Sequence, residues 1–231
     1  MKKISVMVVD DHVMMREAIV KGFEGNPCID IIYQASSGKD ALEYLENNKD
    51  SLDVILLDVI MPDENGTEIL KLIKDLCPNI KVIMLTSMTT SKYIIKALEN
   101  DADGYATKGV DFNQLLSMIK SVCEGKFCSD EKINDEVCKC REYIKQKSKI
   151  LKDFDLLTRR EYEIVGLISQ GKSNLEIADD LFLSERTVKN HIHNILKKVN
   201  LQDRTQIAIA NLRYRIVEKQ LGWWLWALMI S

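Results

Sequence analysis

The chain of 231 residues lacks any run approaching the roughly 20 apolar residues that a membrane-crossing helix needs. It also lacks a secretory pattern: Met1-Lys2-Lys3 leads into a short apolar stretch that ends in Asp10-Asp11, not at a small-residue cleavage site. These absences lead us to expect a cytoplasmic protein without a membrane span, whose six cysteines are thiols and not disulfides. Four of them crowd together as Cys123, Cys128, Cys138 and Cys140, yet the spacing C-x4-C-x9-C-x-C fits no common zinc or iron–sulfur pattern. On a helix Cys138 and Cys140 point about 200° apart, since each residue advances by roughly 100°. Histidine is scarce, at three residues. His12, beside two acids, has no second His or Cys at a ligand spacing and reads as the start of a helix. Between Glu124 and Lys152 there is no proline and a single glycine, Gly125, so this stretch reads as a helical connector and not a flexible one.

What is present suits two ordinary domains. Hydrophobic residues make up 46% of the chain, enough for real cores, and charged residues 29%. The net charge of −3 hides an asymmetry: residues 151–231 hold 12 Lys and Arg against 10 Asp and Glu, and residues 1–150 hold 20 against 25. Between Arg186 and Lys219 there are eight basic residues and two acidic ones, Asp203 and Glu218, so a polyanionic partner is expected to meet the second half.

In the first half, Val54-Ile55-Leu56-Leu57 is an unbroken apolar run, too short for a helix, that reads as a strand buried on both faces. Four further runs read the same way: Ile4–Val9, Ile29–Gln34, Ile80–Leu85 and Gly104–Thr107. Helical spacing follows each strand, over Met14–Gly25, Gly38–Asn48, Thr67–Leu76, Ser91–Asn100 and Asp111–Cys123. Five βα units predict an α/β, doubly wound parallel sheet. In such sheets ligands bind beyond the carboxyl ends of the strands. Asp10 and Asp11 close the first strand, Asp58 the third, Thr86 the fourth and Lys108 the fifth. Three carboxylates meeting at one edge repel one another and call for a hard cation, which takes oxygen ligands. A nearby hydroxyl and ammonium suit phosphoryl oxygens.

This set of residues, with Asp58 followed by Val59-Ile60-Met61-Pro62-Asp63-Glu64-Asn65-Gly66 and with Tyr105 ahead of Lys108, resembles the receiver domain of two-component response regulators over about residues 1–122. The resemblance implies a flavodoxin-like strand order, 2-1-3-4-5. It implies Asp58 as the phosphoacceptor, taking its phosphoryl group from a sensor histidine kinase. Mg²⁺ would be held by Asp11, Asp58 and the main-chain carbonyl of Ile60, with Asp10 acting through water. Lys108 would pair with the phosphoryl group, Thr86 would hydrogen-bond it, and Tyr105 would be the aromatic that turns inward when Thr86 moves.

In the second half Thr158-Arg159-Arg160-Glu161 is a capping box that opens a helix ending at Gly171. Asn174 is expected to cap a short helix, Leu175–Leu181, and Ser184 a third that runs to about Val199. The last two make a helix-turn-helix. On the third helix Val188, Ile192, Ile195 and Val199 form an apolar stripe, with Arg186, Lys189, Asn190, His193 and Lys197 on the opposite side. The stretches Leu157–Glu161, Gly171–Ala178 and Leu183–His191 closely resemble the LuxR-type DNA-binding domain of NarL/FixJ response regulators. That resemblance implies an all-α four-helix domain in which Lys189, Asn190 and His193 face bases while Thr187 and Arg204 hold phosphates. The fourth helix, Asp203 to about Lys219, would supply a homodimer contact and hence paired half-sites on double-stranded DNA.

The expected division is a receiver domain over 1–123, a helical linker over 124–152, the DNA-binding domain over 153–219 and an apolar tail over 220–231. The tail carries all three tryptophans. Packing on the domain, extending a dimer interface and touching a membrane surface remain open for it. The expected function is transcriptional regulation by a non-enzyme switched by phosphorylation at Asp58. A DNA-binding protein switched by redox or metal chemistry at the linker cysteines, with a vestigial receiver, is the alternative. An aspartyl-phosphate phosphatase or phosphotransferase would need an acid two residues after the nucleophile, where Ile60 stands.

Overall fold

A computed structural model of the chain describes residues 3–48, 51–62, 64–87 and 89–218. It divides into two compact units, residues 1–144 and 145–231. The apolar tail and its three tryptophans lie outside the described residues.

The first unit opens with β1 (Ile4–Val9), α1 (Val13–Phe23), β2 (Ile29–Ala35), α2 (Gly38–Asn48) and β3 (Val54–Asp58). A two-strand hairpin follows, β4 (Ile60–Met61) and β5 (Glu64–Asn65), and then α3 (Gly66–Leu76), β6 (Lys81–Thr86), α4 (Ser91–Glu99), β7 (Gly104–Thr107) and α5 (Phe112–Cys123). The sheet runs β2-β1-β3-β6-β7 and ends on β8 (Cys128–Ser129), with every pairing parallel. The five expected strands therefore stand in the expected order. The sheet carries one strand more, β8 (Cys128–Ser129), formed by residues that sequence alone places in the linker.

Successive strand residues alternate between two cores. Met7, Val9, Ile55, Leu57, Val82 and Met84 face the side covered by α2, α3 and α4. Val6, Val8, Val54, Leu56, Ile83 and Leu85 face α1 and α5. Burial on both faces is why these strands read as continuous apolar runs. The helix starts are specified locally: the Asn65 side chain accepts from the Thr67 N–H at 3.0 Å to open α3, and Asp111 accepts from the Asn113 N–H at 2.8 Å to open α5.

The helix α6 (Asn134–Phe154) spans the boundary between the units. Its first half belongs to the receiver-like unit, where Ile133, Val137 and Cys140 are buried in the same core as Ile94 and Ala97. Cys138 is exposed and Cys140 buried, in keeping with the opposed directions expected of them.

The second unit is helical: α7 (Arg159–Ser169), α8 (Asn174–Leu181), α9 (Glu185–Lys198) and α10 (Arg204–Tyr214). The capping box expected at Thr158 and Glu161 is formed. The second helix begins one residue earlier than expected. Ser173, not Asn174, is its cap, because Ser173 and Glu176 make a reciprocal capping box of their own. Phe182 turns the chain between α8 and α9 at φ 54°, a left-handed conformation that ends α8 sharply. Val188, Ile195 and Val199 are buried along α9, as its apolar stripe predicts. The α10 helix stops at Tyr214, where Arg215 adopts φ 50°.

Candidate functional site

The carboxyl ends of β1, β3, β6 and β7 lie side by side in the sheet, and this brings the polar residues at those ends together. Asp58 is the last residue of β3 and is 2% exposed; Asp10 directly follows β1 and is 1% exposed. Lys108 follows β7, held there by its N–H donating to the Thr86 carbonyl at 2.7 Å. Its Nζ stands 2.7 Å from an oxygen of Asp58 and 2.7 Å from an oxygen of Asp10. The other Asp58 oxygen accepts from the Ile60 N–H at 3.2 Å, which fixes the residue two places on beside the carboxylate.

Burial pushes the Asp58 carboxyl up, and the nearby Asp10 charge adds to this; the hydrogen bond and charge of Lys108 oppose the rise without cancelling it. Burial alone lowers the Lys108 ammonium, but its bonds and charge pairs with Asp10 and Asp58 together outweigh that and hold it above its ordinary range. A raised carboxyl beside a firmly charged ammonium marks a perturbed, functional-site environment.

Thr86 ends β6 and is fully buried, as is Tyr105 in β7. Burial pushes the Tyr105 phenol up to about 12, against the pull of the Thr86 hydroxyl beside it. The expected switch pair is thus adjacent, with the aromatic ring turned inward.

Ligand atoms of Asp10, Asp11, His12 and Asp58 all lie within 4.8 Å of one another. Three carboxylates set against one ammonium leave a local excess of negative charge, and hard oxygen donors of this kind fit Mg²⁺. Two neighbours correct the reading from sequence: His12, read there only as the start of a helix, and Arg16, which was not singled out. The His12 Nδ1 lies 2.8 Å from an Asp11 oxygen and 3.2 Å from an Asp10 oxygen, so this histidine does touch the site although it also starts α1. Arg16, one turn into α1, donates to the Asp10 carbonyl at 2.6 Å. The only signal for either was proximity to the acidic pair.

Gly66 completes the site from behind. A Cβ placed there would stand 1.9 Å from the Asp58 carbonyl oxygen, so any side chain would displace the strand end that carries Asp58. Its N–H donates to the Val59 carbonyl at 2.9 Å, closing the turn over β4 and β5.

In the second unit α9 turns Arg186, Lys189, Asn190, His193, Asn194 and Lys197 outward, all exposed. Lys189 pairs with Glu185 one turn back at 2.8 Å. Thr187 is held at the start of α9, its N–H and hydroxyl both bonded to the Ser184 hydroxyl. Arg204 is engaged within the unit: its guanidinium donates to the Lys172 carbonyl at 2.5 Å and to the Asn174 side chain at 3.2 Å, tying α10 to the start of α8.

Among the described residues no cysteine belongs to a metal-ligand cluster. Burial pushes the Cys128 thiol up to about 11 and raises Cys123 and Cys140 as well, the reverse of what a reactive thiolate requires. The cysteine-switched alternative is not favoured.

A parallel α/β unit with an acidic, lysine-paired pocket, followed by a capped helix-turn-helix unit, defines a DNA-binding regulator governed by a receiver. The family models agree: residues 6–120 match the response regulator receiver domain and residues 155–210 match bacterial regulatory proteins of the luxR family. The response regulator protein VraR of Staphylococcus saprophyticus is 34% identical over 215 residues, covering 93% of this chain and 99% of that one. The transcriptional regulatory protein DegU of Brevibacillus brevis is 32% identical over 223 residues, covering 91% and 94%. Among solved structures, the RcsB response regulator of Salmonella typhimurium shares the fold with a TM-score of 0.55 at 21% identity, covering 90% of this chain and 97% of that one. The chain belongs to the two-component response regulators that join a receiver to a LuxR-type DNA-binding domain, and it is a transcription regulator of that family.

Proposed function

We propose that Asp58 is the phosphoacceptor and that Asp10, Asp11, Thr86 and Lys108 are the groups that make the transfer possible. The observation that carries this reading is the Lys108 ammonium placed 2.7 Å from both Asp58 and Asp10. An Asp58 oxygen attacks the phosphorus of a phosphohistidine on a sensor kinase, the P–N bond breaks, and the imidazole leaves after taking a proton. The product is an acyl phosphate on Asp58. Lys108 then exchanges its bond to the carboxylate for one to a phosphoryl oxygen, and the Thr86 hydroxyl donates to another.

Asp11, Asp58 and the Ile60 carbonyl would hold Mg²⁺ directly, and Asp10 through water. When bound, the ion neutralises charge on the phosphoryl oxygens. Ile60 offers no acid to activate water against the acyl phosphate, which favours a lasting signal over turnover and a regulator over an enzyme.

In the second unit Lys189, Asn190 and His193 are assigned to base edges in the major groove, where lysine suits guanine and asparagine suits adenine. Thr187 is assigned to phosphate. Arg204 has N–H groups left beyond its two internal bonds, and these are assigned to phosphate as well. The exposed apolar residues Ile209 and Leu212 on α10 support a homodimer contact through that helix, and with it paired half-sites on double-stranded DNA. RcsB has been solved as an RcsB–DNA complex, with a TM-score of 0.54 to this chain at 20% identity. No described helix is long and apolar enough to cross a membrane.

Labelling with a small-molecule phosphodonor and Mg²⁺ tests the assignment. Asp58→Asn should remove the label, and Lys108→Ala should reduce it and uncouple what remains from DNA affinity. Wild-type labelling of Asp58→Asn would overturn the assignment.

A further inference from the structure

Beyond α5 the chain does not leave the receiver unit but folds back over its switch. The β8 strand adds to β7, with Cys128 opposite Gly104 and Ser129 opposite Tyr105. The next residue, Asp130, is 1% exposed, and a carboxylate so buried needs several donors. It has four: one oxygen accepts from the Thr107 N–H at 2.6 Å and the Thr107 hydroxyl at 2.8 Å, the other from the N–H groups of Lys132 at 2.8 Å and Ile133 at 3.3 Å. From there Ile133, Val137 and Cys140, spaced so as to share one helix face, enter the core that holds Tyr105, Met84, Ile94 and Ala97. The margin is clasped by the Ser91 hydroxyl on Glu136 at 2.5 Å, by the Cys140 thiol on the Ser91 carbonyl at 3.9 Å, and by Lys132 on the Gly109 carbonyl at 2.8 Å.

Two mechanical links therefore join this strap to the site. One is the Tyr105 ring, beside Thr86 on one side and sharing its core with the strap on the other. The second is Thr107, held through its backbone and side chain by Asp130 and followed in the chain by Lys108. Close-packed interiors switch between discrete arrangements and do not deform smoothly. An outward Tyr105 and a seated strap compete for the same packing.

We propose that residues 128–140 act as a strap whose seating on the α4–β7 face is coupled to the phosphoryl state of Asp58. This rests on the reading of Asp58 as the phosphoacceptor and names how that site is regulated. A phosphoryl group that draws Thr86 and Lys108 inward favours the inward Tyr105, and the inward ring favours the seated strap. The coupling is reciprocal by linkage, so a seated strap favours the acyl phosphate. Because α6 is one helix from Asn134 to Phe154, seating its first half orders the segment that leads into the DNA-binding unit.

The experiment is amide hydrogen exchange on the full chain, with and without beryllofluoride and Mg²⁺ as a stable phosphoryl mimic, beside a phosphodonor assay of Asp58 labelling. Exchange at Val137–Cys140 should slow by about tenfold or more with the mimic. Val137→Ser should erase that slowing and shorten the acyl phosphate lifetime several-fold. The surface change Ser91→Ala, which leaves the core intact, should reduce the slowing in part. Equal exchange in both states of a chain that labels at Asp58, or wild-type responses in both variants, overturns the coupling. A chain that takes up no label overturns the Asp58 assignment first, and the coupling with it.

Discussion

In the first unit the residues assigned to chemistry are the buried ones: Asp58 and Asp10 are nearly inaccessible, and Lys108 is bonded to both. In the second unit the residues assigned to base edges, Lys189, Asn190 and His193, are exposed on α9. The buried carboxylate among its described residues, Glu161, serves the fold. Glu161 accepts from the Thr158 N–H at 2.7 Å and the Thr158 hydroxyl at 2.9 Å, and pairs with Lys198 at 2.7 Å, locking the start of α7 to the end of α9. Burial raises both carboxyls. Partners more than reverse this at Glu161, which ends below the ordinary carboxylate range, and fail to do so at Asp58, which ends above it. Both carboxylates have partners, but only at Glu161 do they outweigh the cost of burial.

The contrast breaks most visibly at Glu161. Glu161→Ala should destabilise the second unit by about 3 kcal/mol, through loss of a cap and of a buried pair. Urea unfolding of the full chain should show this in one transition while Asp58 labelling is unchanged. Next, Asn190→Ala should weaken binding to the specific site by about 2 kcal/mol, roughly thirtyfold, and leave non-specific binding and stability alone. Titration against specific and scrambled duplexes checks it. A smaller and opposite effect is expected at Asp58. Asp58→Asn should stabilise the first unit by about 1 kcal/mol at neutral pH, because it removes an anion the fold holds poorly.

The two carboxyls also predict opposite pH behaviour. At Asp58 the folded carboxyl lies above its unfolded value, so stability is lost as pH rises from the ordinary carboxylate range through the raised value. The gain from Asp58→Asn should therefore vanish below the ordinary range. At Glu161 the folded value is lowered, so its contribution is complete above the ordinary range and is lost as pH falls through the lowered value. Thermal melts of wild type, Asp58→Asn and Glu161→Ala between neutral and acid pH should separate the two. Parallel profiles would remove the distinction.

Much of this was legible in sequence because the signals are local or repeated. Apolar runs such as Val54–Leu57 announce doubly covered strands, and a polar residue at each strand end announces the site. The strap was hidden. Two residues, Cys128 and Ser129, make no readable strand, and the many charges around Ile133, Val137 and Cys140 mask the apolar stripe they form. His12 was set aside for want of a second nitrogen or sulfur ligand, a test that overlooks oxygen-rich surroundings. Arg204 carries no local signal of its bonds to Lys172 and Asn174, which lie some thirty residues earlier in the chain.

The short β8 strand also decides how the sheet ends. An uncovered β7 would offer a row of free backbone N–H and carbonyl groups to any extended segment it met, the usual route to strand addition and aggregation. With β8 paired to it and Asp130 bonded to Thr107, that border is closed by the protein's own chain, and the opposite border of the sheet is β2. The strap proposed to follow the phosphoryl state of Asp58 would thus also shield β7 from strand addition.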